Sequence, residues 1–170
     1  GDAVNNFSAE NENIFNWVKL KIFPDGGVAR LRLWGDVFVD WDSISKKQIL
    51  ELPALNNGGK IISYNNAHYG DVSAILSYGR GKNMGDGWET RRRREPGNDW
   101  LIIKLGKKSF LTKAEVDTAF FKGNYPESCS IQAINTDDIS KVRDEDWLTI
   151  IPKSILRADK VHKFLISTKF

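Results

Sequence analysis

The chain has 170 residues, 41% apolar and 28% charged, an ordinary globular composition with enough length for one domain with a real core. A net charge of +3 does not call for nucleic acid, and no apolar run is long enough to span a bilayer. A lone Cys129 offers no internal disulfide and no signal segment opens the chain, so the expectation is a cytoplasmic protein; the peroxisome stays open, although the final Ser167-Thr168-Lys169-Phe170 is not the usual targeting tripeptide.

Residues 1–13 are rich in Asn, Ser, Glu and Asp and read as a polar tail or linker. Trp17 to Ile22 alternates apolar and basic residues, as a half-buried strand does. Pro24-Asp25-Gly26-Gly27 is a turn, because proline sets its own φ and glycine accepts positive φ. Val28 to Trp34 alternates again, with Arg30 and Arg32 on one face and Leu31 and Leu33 on the other. Residues 14–40 therefore read as a hairpin. Asp42 to Leu52 is the helical candidate: Asp42 or Ser43 caps it, Ile44, Ile49 and Leu52 share a face, and Pro53 ends it. Lys60 to Tyr64 is a short strand, and His68-Tyr69-Gly70-Asp71 a polar loop before the apolar run Val72 to Leu76.

The stretch from Asn83 to Gly106 stands apart. It holds two of the six tryptophans, four consecutive arginines and four acids beside a strand pattern. Trp100 to Leu105 is a short apolar run stopped by Gly106, the pattern of a strand covered on both faces. Gly85, Gly87, Pro96 and Gly97 break the segment before it into a loop. In an extended segment Arg91 and Arg93 face one side and Arg92 and Arg94 the other. Beyond it, Glu115 to Phe121, Ser128 to Asn135, Trp147 to Ile151 and Lys163 to Ser167 read as strands, with a loop over Asn135 to Asp144. Many short strands and glycine-rich turns give an all-β sandwich with one short helix near residues 42–52.

Several motifs carry a resemblance. Asp86-Gly87-Trp88-Glu89-Thr90-Arg91-Arg92, then Asn98-Asp99-Trp100 and Lys104-Leu105-Gly106, resemble the repeat signature of the allantoicases, enzymes that cleave allantoate. Asp117-Thr118 with Phe121-Lys122-Gly123-Asn124-Tyr125-Pro126, and upstream Pro24 to Arg32, extend the match over roughly Trp17 to Trp147. The resemblance implies a jelly-roll sandwich of the galactose-binding-like kind, hydrolysis of allantoate to ureidoglycolate and urea, and a homo-oligomer. Only one copy of the central signature is present. The chain thus divides into a tail (1–13), a hairpin closing a preceding repeat (14–40) and one repeat (41–170), incomplete at its end.

Allantoate is a small anion with two ureido arms on one carbon. Guanidinium groups suit its carboxylate, and Arg91 and Arg93 are the candidates. An acid and a base are needed at the carbon–nitrogen bond, and Glu89, Asp99 and His68 are the candidates. Lys122 and Asn124 suit the ureido arms, and Trp88 and Trp100 can wall the site and raise a nearby acid's pKa by desolvation. Each has a plainer role: arginine runs are often solvated, Glu89 can pair with Arg91 or Arg93, Asp99 can close a turn, and tryptophans fill cores. No cofactor is required by the sequence. Two histidines and one cysteine far apart lack zinc spacing, and a divalent metal held by loop carboxylates stays open. The partners expected are a small-molecule substrate and copies of the chain, with neither nucleic acid nor membrane. The competing function is a non-catalytic jelly-roll module binding a sugar or small ureide.

Overall fold

A computed structural model describes residues 3–8, 13–45 and 47–166. They form six strands: β1 (Lys60–Tyr64), β2 (Leu101–Lys104), β3 (Lys113–Asp117), β4 (Ser128–Ala133), β5 (Leu148–Ile155) and β6 (Val161–Leu165). All pairing is antiparallel, β1 with β2, β3 with β6 and β4 with β5. The β3–β6 pair encloses β4–β5 in chain order, the nested antiparallel pairing of a jelly roll. The fold is all-β.

Local chemistry accounts for the strands. β1 alternates, with Ile61 and Ser63 turned inward, and β2 presents Leu101, Ile102 and Ile103 half-buried rather than fully covered. Pro152 lies inside β5, and β4 and β5 slip register between the Cys129–Ser154 and Ile131–Ile151 pairs. Two residues there face one, a bulge that accommodates a proline lacking an N–H. Ala54, Val72, Leu76, Ile151 and Leu156 are the buried apolar residues among those described. The Val72–Leu76 run is a 3₁₀ turn capped by Asp71, whose carboxylate accepts from the Ser73 N–H at 2.8 Å.

Four expectations fail in whole or in part. The helix over Asp42 to Leu52 is absent. A single 3₁₀ turn, Trp41–Ser43, is capped by Asp40, and Ile44 is already extended at φ −87°, ψ 129°. The apolar residues there share no buried face: Ile49 is 71% exposed, while the preceding Trp41 has Lys107 Nζ 5.3 Å from its ring. The hairpin over residues 14–40 is absent too. No backbone pairing joins its two runs among the described residues, and Trp17, Leu31, Leu33 and Trp34 are exposed. A two-stranded hairpin with no covering layer has too little burial to hold together. The strand expected over Glu115 to Phe121 ends at Asp117. Thr118 turns the chain there: its buried hydroxyl bonds to the Arg157 and Lys160 carbonyls at 2.6 and 3.0 Å, and Phe120 takes φ 70°. The last strand lies at Val161–Leu165 instead of Lys163 to Ser167, and Ser167 lies outside the described residues.

Candidate functional site

The site begins where β1 ends. Tyr64 pairs with Leu101, and the pairing continues one step as the Asn65 N–H donates to the Trp100 carbonyl at 3.2 Å. This sets Asn65 and Asn66 beside the loop that precedes β2. The Asn65 side-chain carbonyl accepts from the Trp100 N–H at 2.9 Å. Its amide donates to the Asn98 carbonyl at 3.1 Å and to Asp99 Oδ1 at 3.3 Å. The Asn66 backbone carbonyl accepts from Trp88 Nε1 at 2.7 Å, and its side-chain carbonyl from the Arg91 N–H at 3.0 Å. Two adjacent amides thus grip both limbs of the arginine loop. Neither was singled out from the sequence, although an Asn-Asn pair directly after a strand is a signal for side-chain bonding to a neighbouring loop.

Between those limbs, Arg93 Nη2 donates to Asp99 Oδ1 at 2.6 Å, and the two side chains are 29% and 16% exposed. Burial is the largest single influence on Asp99 and favours its neutral form. The Arg93 bond and charge, with bonds from Thr90 and Asn65, outweigh it and hold the carboxyl below its ordinary 3.8. The expected upward shift by the tryptophan walls is therefore reversed at this acid. Arg93 Nε is buried with no partner. All four arginines, with Glu95 and Asp99, line a cleft of about 190 Å³. Arg93 alone is drawn partly inward, and Arg91, Arg92 and Arg94 are exposed. The expected alternation gives way because the Asp99 carboxylate takes one guanidinium.

A second cluster lies on the other limb. The Glu89 carbonyl accepts from the His68 N–H at 2.8 Å, and Tyr69 and Glu89 form an isolated antiparallel bridge. The Glu89 side chain accepts from Asn124 Nδ2 at 2.5 Å instead of pairing with Arg91 or Arg93. Asn124 arrives through the turn after β3: the Phe120 N–H donates to Asp159 at 2.8 Å, and the Phe121 ring packs on Gly87, where a Cβ would lie 3.0 Å away. Tyr69, Met84, Gly85 and Glu89 line an open groove of about 400 Å³. The His68 ring is exposed and meets Tyr69 edge-on at 4.3 Å. Lys122 is exposed on the Asn124 loop. Asp86 turns back on its own loop, accepting from the Lys82 N–H at 2.7 Å. Among the described residues no three His, Cys, Asp or Glu side chains are grouped as metal ligands. No helix is long and apolar enough to cross a membrane.

So the structure brings Arg91, Arg93 and Asp99 together, and Glu89, Asn124 and the His68 backbone together. The model of the allantoicase repeat matches residues 1–38 and 50–170 of this chain. The chain belongs to the allantoicase family. It is 47% identical to a probable allantoicase of Photobacterium profundum, over 97% of this chain and 51% of that protein. It is 45% identical to the allantoicase of Dictyostelium discoideum, over 93% of this chain and 44% of that one. The crystal structure of the Saccharomyces cerevisiae allantoicase superposes with a TM-score of 0.62 at 36% identity, covering 71% of this chain and 36% of the other. The chain therefore spans about half the length of the curated relatives it matches. As an allantoicase repeat it is a jelly-roll β-sandwich, and the nested pairing of β3 to β6 is that architecture's mark.

Proposed function

We propose that this chain supplies the arginine-lined part of a site that hydrolyses allantoate to ureidoglycolate and urea. The observation that carries the reading is the cleft that gathers Arg91, Arg93 and Asp99 inside the stretch matching the family. Arg91 and Arg93, which line the cleft, take the substrate carboxylate through their guanidinium groups. Asp99 stays ionised beside Arg93 and orients its guanidinium, so its role is alignment and not proton donation. Glu89, steadied by Asn124, is the acid/base candidate, and His68, whose N–H donates to the Glu89 carbonyl, is the proton carrier. Lys122 and Asn124 contact the ureido arms. Water adds its oxygen to the central carbon, the carbon–nitrogen bond breaks, and the departing nitrogen takes the proton as urea leaves.

The segment boundaries support a related reading. A break in the family match between residues 38 and 50 supports the reading that residues 14–40 close one repeat and 41–170 belong to another. A homo-oligomer covers apolar side chains that the strands expose, such as Ile155 and Leu165. The half-buried Cys129, whose thiol pKa is raised by burial, suits the reducing cytoplasm. The rival, a non-catalytic sugar or ureide binder, calls for open aromatic platforms. Trp88 is half-buried with its indole N–H spent on Asn66, and guanidinium groups line the cleft, so the hydrolase is favoured.

The test is urea release from allantoate, with and without chelator, by this chain and by a chain of the relatives' length. Arg93→Ala is expected to lower kcat/KM by about a hundredfold, two charge-assisted bonds' worth, chiefly through KM. Full activity in Arg91→Ala and Arg93→Ala together refutes the carboxylate assignment.

A further inference from the structure

Asp99 and Arg93 belong to one loop, six residues apart, and within it Arg93 and Thr90 bond the carboxylate. A further hold comes from across the sheet. Asn65 is the first residue after β1, and register with β2 puts its side chain against Asn98, Asp99 and Trp100. It uses both ends of its amide. The carbonyl takes the Trp100 N–H, which fixes the amide plane, and the Nδ2 group then points at the Asn98 carbonyl and Asp99 Oδ1. Asp99 Oδ1 is the same oxygen that Arg93 Nη2 reaches at 2.6 Å. One oxygen thus accepts from both residues, at 3.3 Å from Asn65 and 2.6 Å from Arg93.

We infer that Asn65 is a positioning residue: donating from the end of β1, it aligns the Asp99 carboxylate and through it the Arg93 guanidinium in the cleft. The chemistry asks for an amide and not a carboxylate. An aspartate in its place keeps the acceptor for the Trp100 N–H but sets a second negative charge against Asp99. The ionisable groups around Asp99 are Arg93, in contact, and Arg91, Arg92, Arg94 and Glu95 along the same cleft, so the expected change at Asp99 is read against a cationic surround. The inference rests on the allantoate reading for its kinetic readout only.

The test compares the full chain with Asn65→Ala and Asn65→Asp. Carboxyl-carbon NMR follows the Asp99 titration midpoint in each. It should rise in Asn65→Ala, which loses the donor, and rise further in Asn65→Asp, which adds the like charge. Where the chain turns over allantoate, kcat/KM at neutral pH falls about tenfold in Asn65→Ala, and the acidic limb of the rate profile moves up with the Asp99 midpoint. An unchanged midpoint in both variants overturns the inference. So does an Asn65→Asp chain that matches wild type while Asn65→Ala does not, since only the Trp100 bond would then matter. If the variants do not fold, the wild-type chain decides: the Asn65 side-chain amide signals must shift with the Asp99 midpoint, and signals indifferent to it refute the assignment. A chain of the relatives' length without urea release sinks the proposed function, while the NMR comparison still settles Asn65.

Discussion

Arg93 and Asp99 show how one side chain decides the character of a site. A half-exposed ion pair is ordinarily worth little. This one is only 29% and 16% exposed and is joined by Asn65, so its geometry is set on two sides. Its effect on stability has a definite sign. The folded carboxyl titrates below its ordinary 3.8, so the stabilisation is complete above that pH and is lost as pH falls through the folded value. The stability difference between wild type and Asp99→Asn, followed by urea denaturation, is expected to shrink from about pH 4 downward. A difference that stays constant into that range contradicts the pairing. The sequence pointed to both residues by type and by loop position. It could not pair them, since Glu89 stood as near a partner for Arg93 as Asp99 did, and the choice was made when Asn124 took Glu89.

Among the elements, β1 and β2 were legible from local sequence, β1 as a short strand-forming run after a glycine-rich loop and β2 as an apolar run closed by glycine. Their junction also explains two glycines. A Cβ on Gly106 would lie 1.7 Å from the Asn57 carbonyl oxygen, and one on Gly59 would lie 1.8 Å from that of Pro53. The Gly106 N–H donates to the Leu52 carbonyl at 3.2 Å, so the 52–59 segment lies directly on the end of β2. Gly106 thus does more than end a strand. Gly106→Ala must push two backbones apart, at a cost of about 1–3 kcal/mol or more as overpacking goes. A lowered urea midpoint at unchanged m-value is the expected result, and an unshifted midpoint contradicts the close approach. The helix over Asp42 to Leu52 failed for the same tertiary reason: Trp41 packs beside Gly106 and Lys107, and this contact outweighs a weak periodicity.

The chain as a body exposes 14709 Å², against about 8,500 Å² for a compact protein of its mass. Residues 14–38 are among the exposed segments, with Trp17, Phe23 and Trp34 86%, 84% and 81% exposed. Their strand-like alternation is the pattern of a surface meant to be covered, and the relatives are about twice as long as this chain. Trypsin is therefore expected to cut first at Lys19, Lys21, Arg30 and Arg32, ahead of any bond in β3 to β6, with mass spectrometry reading the order. In a chain of the relatives' length the same bonds should resist. Early cleavage within β4 or β5 contradicts the first expectation, and equal susceptibility in the longer chain contradicts the second.

Motif order carried the family, and local pattern carried most of the strands, because both depend on residues close together along the chain. The tertiary structure alone decided three things. It chose which acid meets which arginine, it put the Asn65–Asn66 pair between the two limbs of the loop, and it left the 14–40 hairpin unformed. Each depends on groups brought together from distant segments, or on a covering layer that residues 14–40 do not contain. A β-hairpin pattern states which face is apolar; only a packed neighbour supplies the burial that turns the pattern into strands.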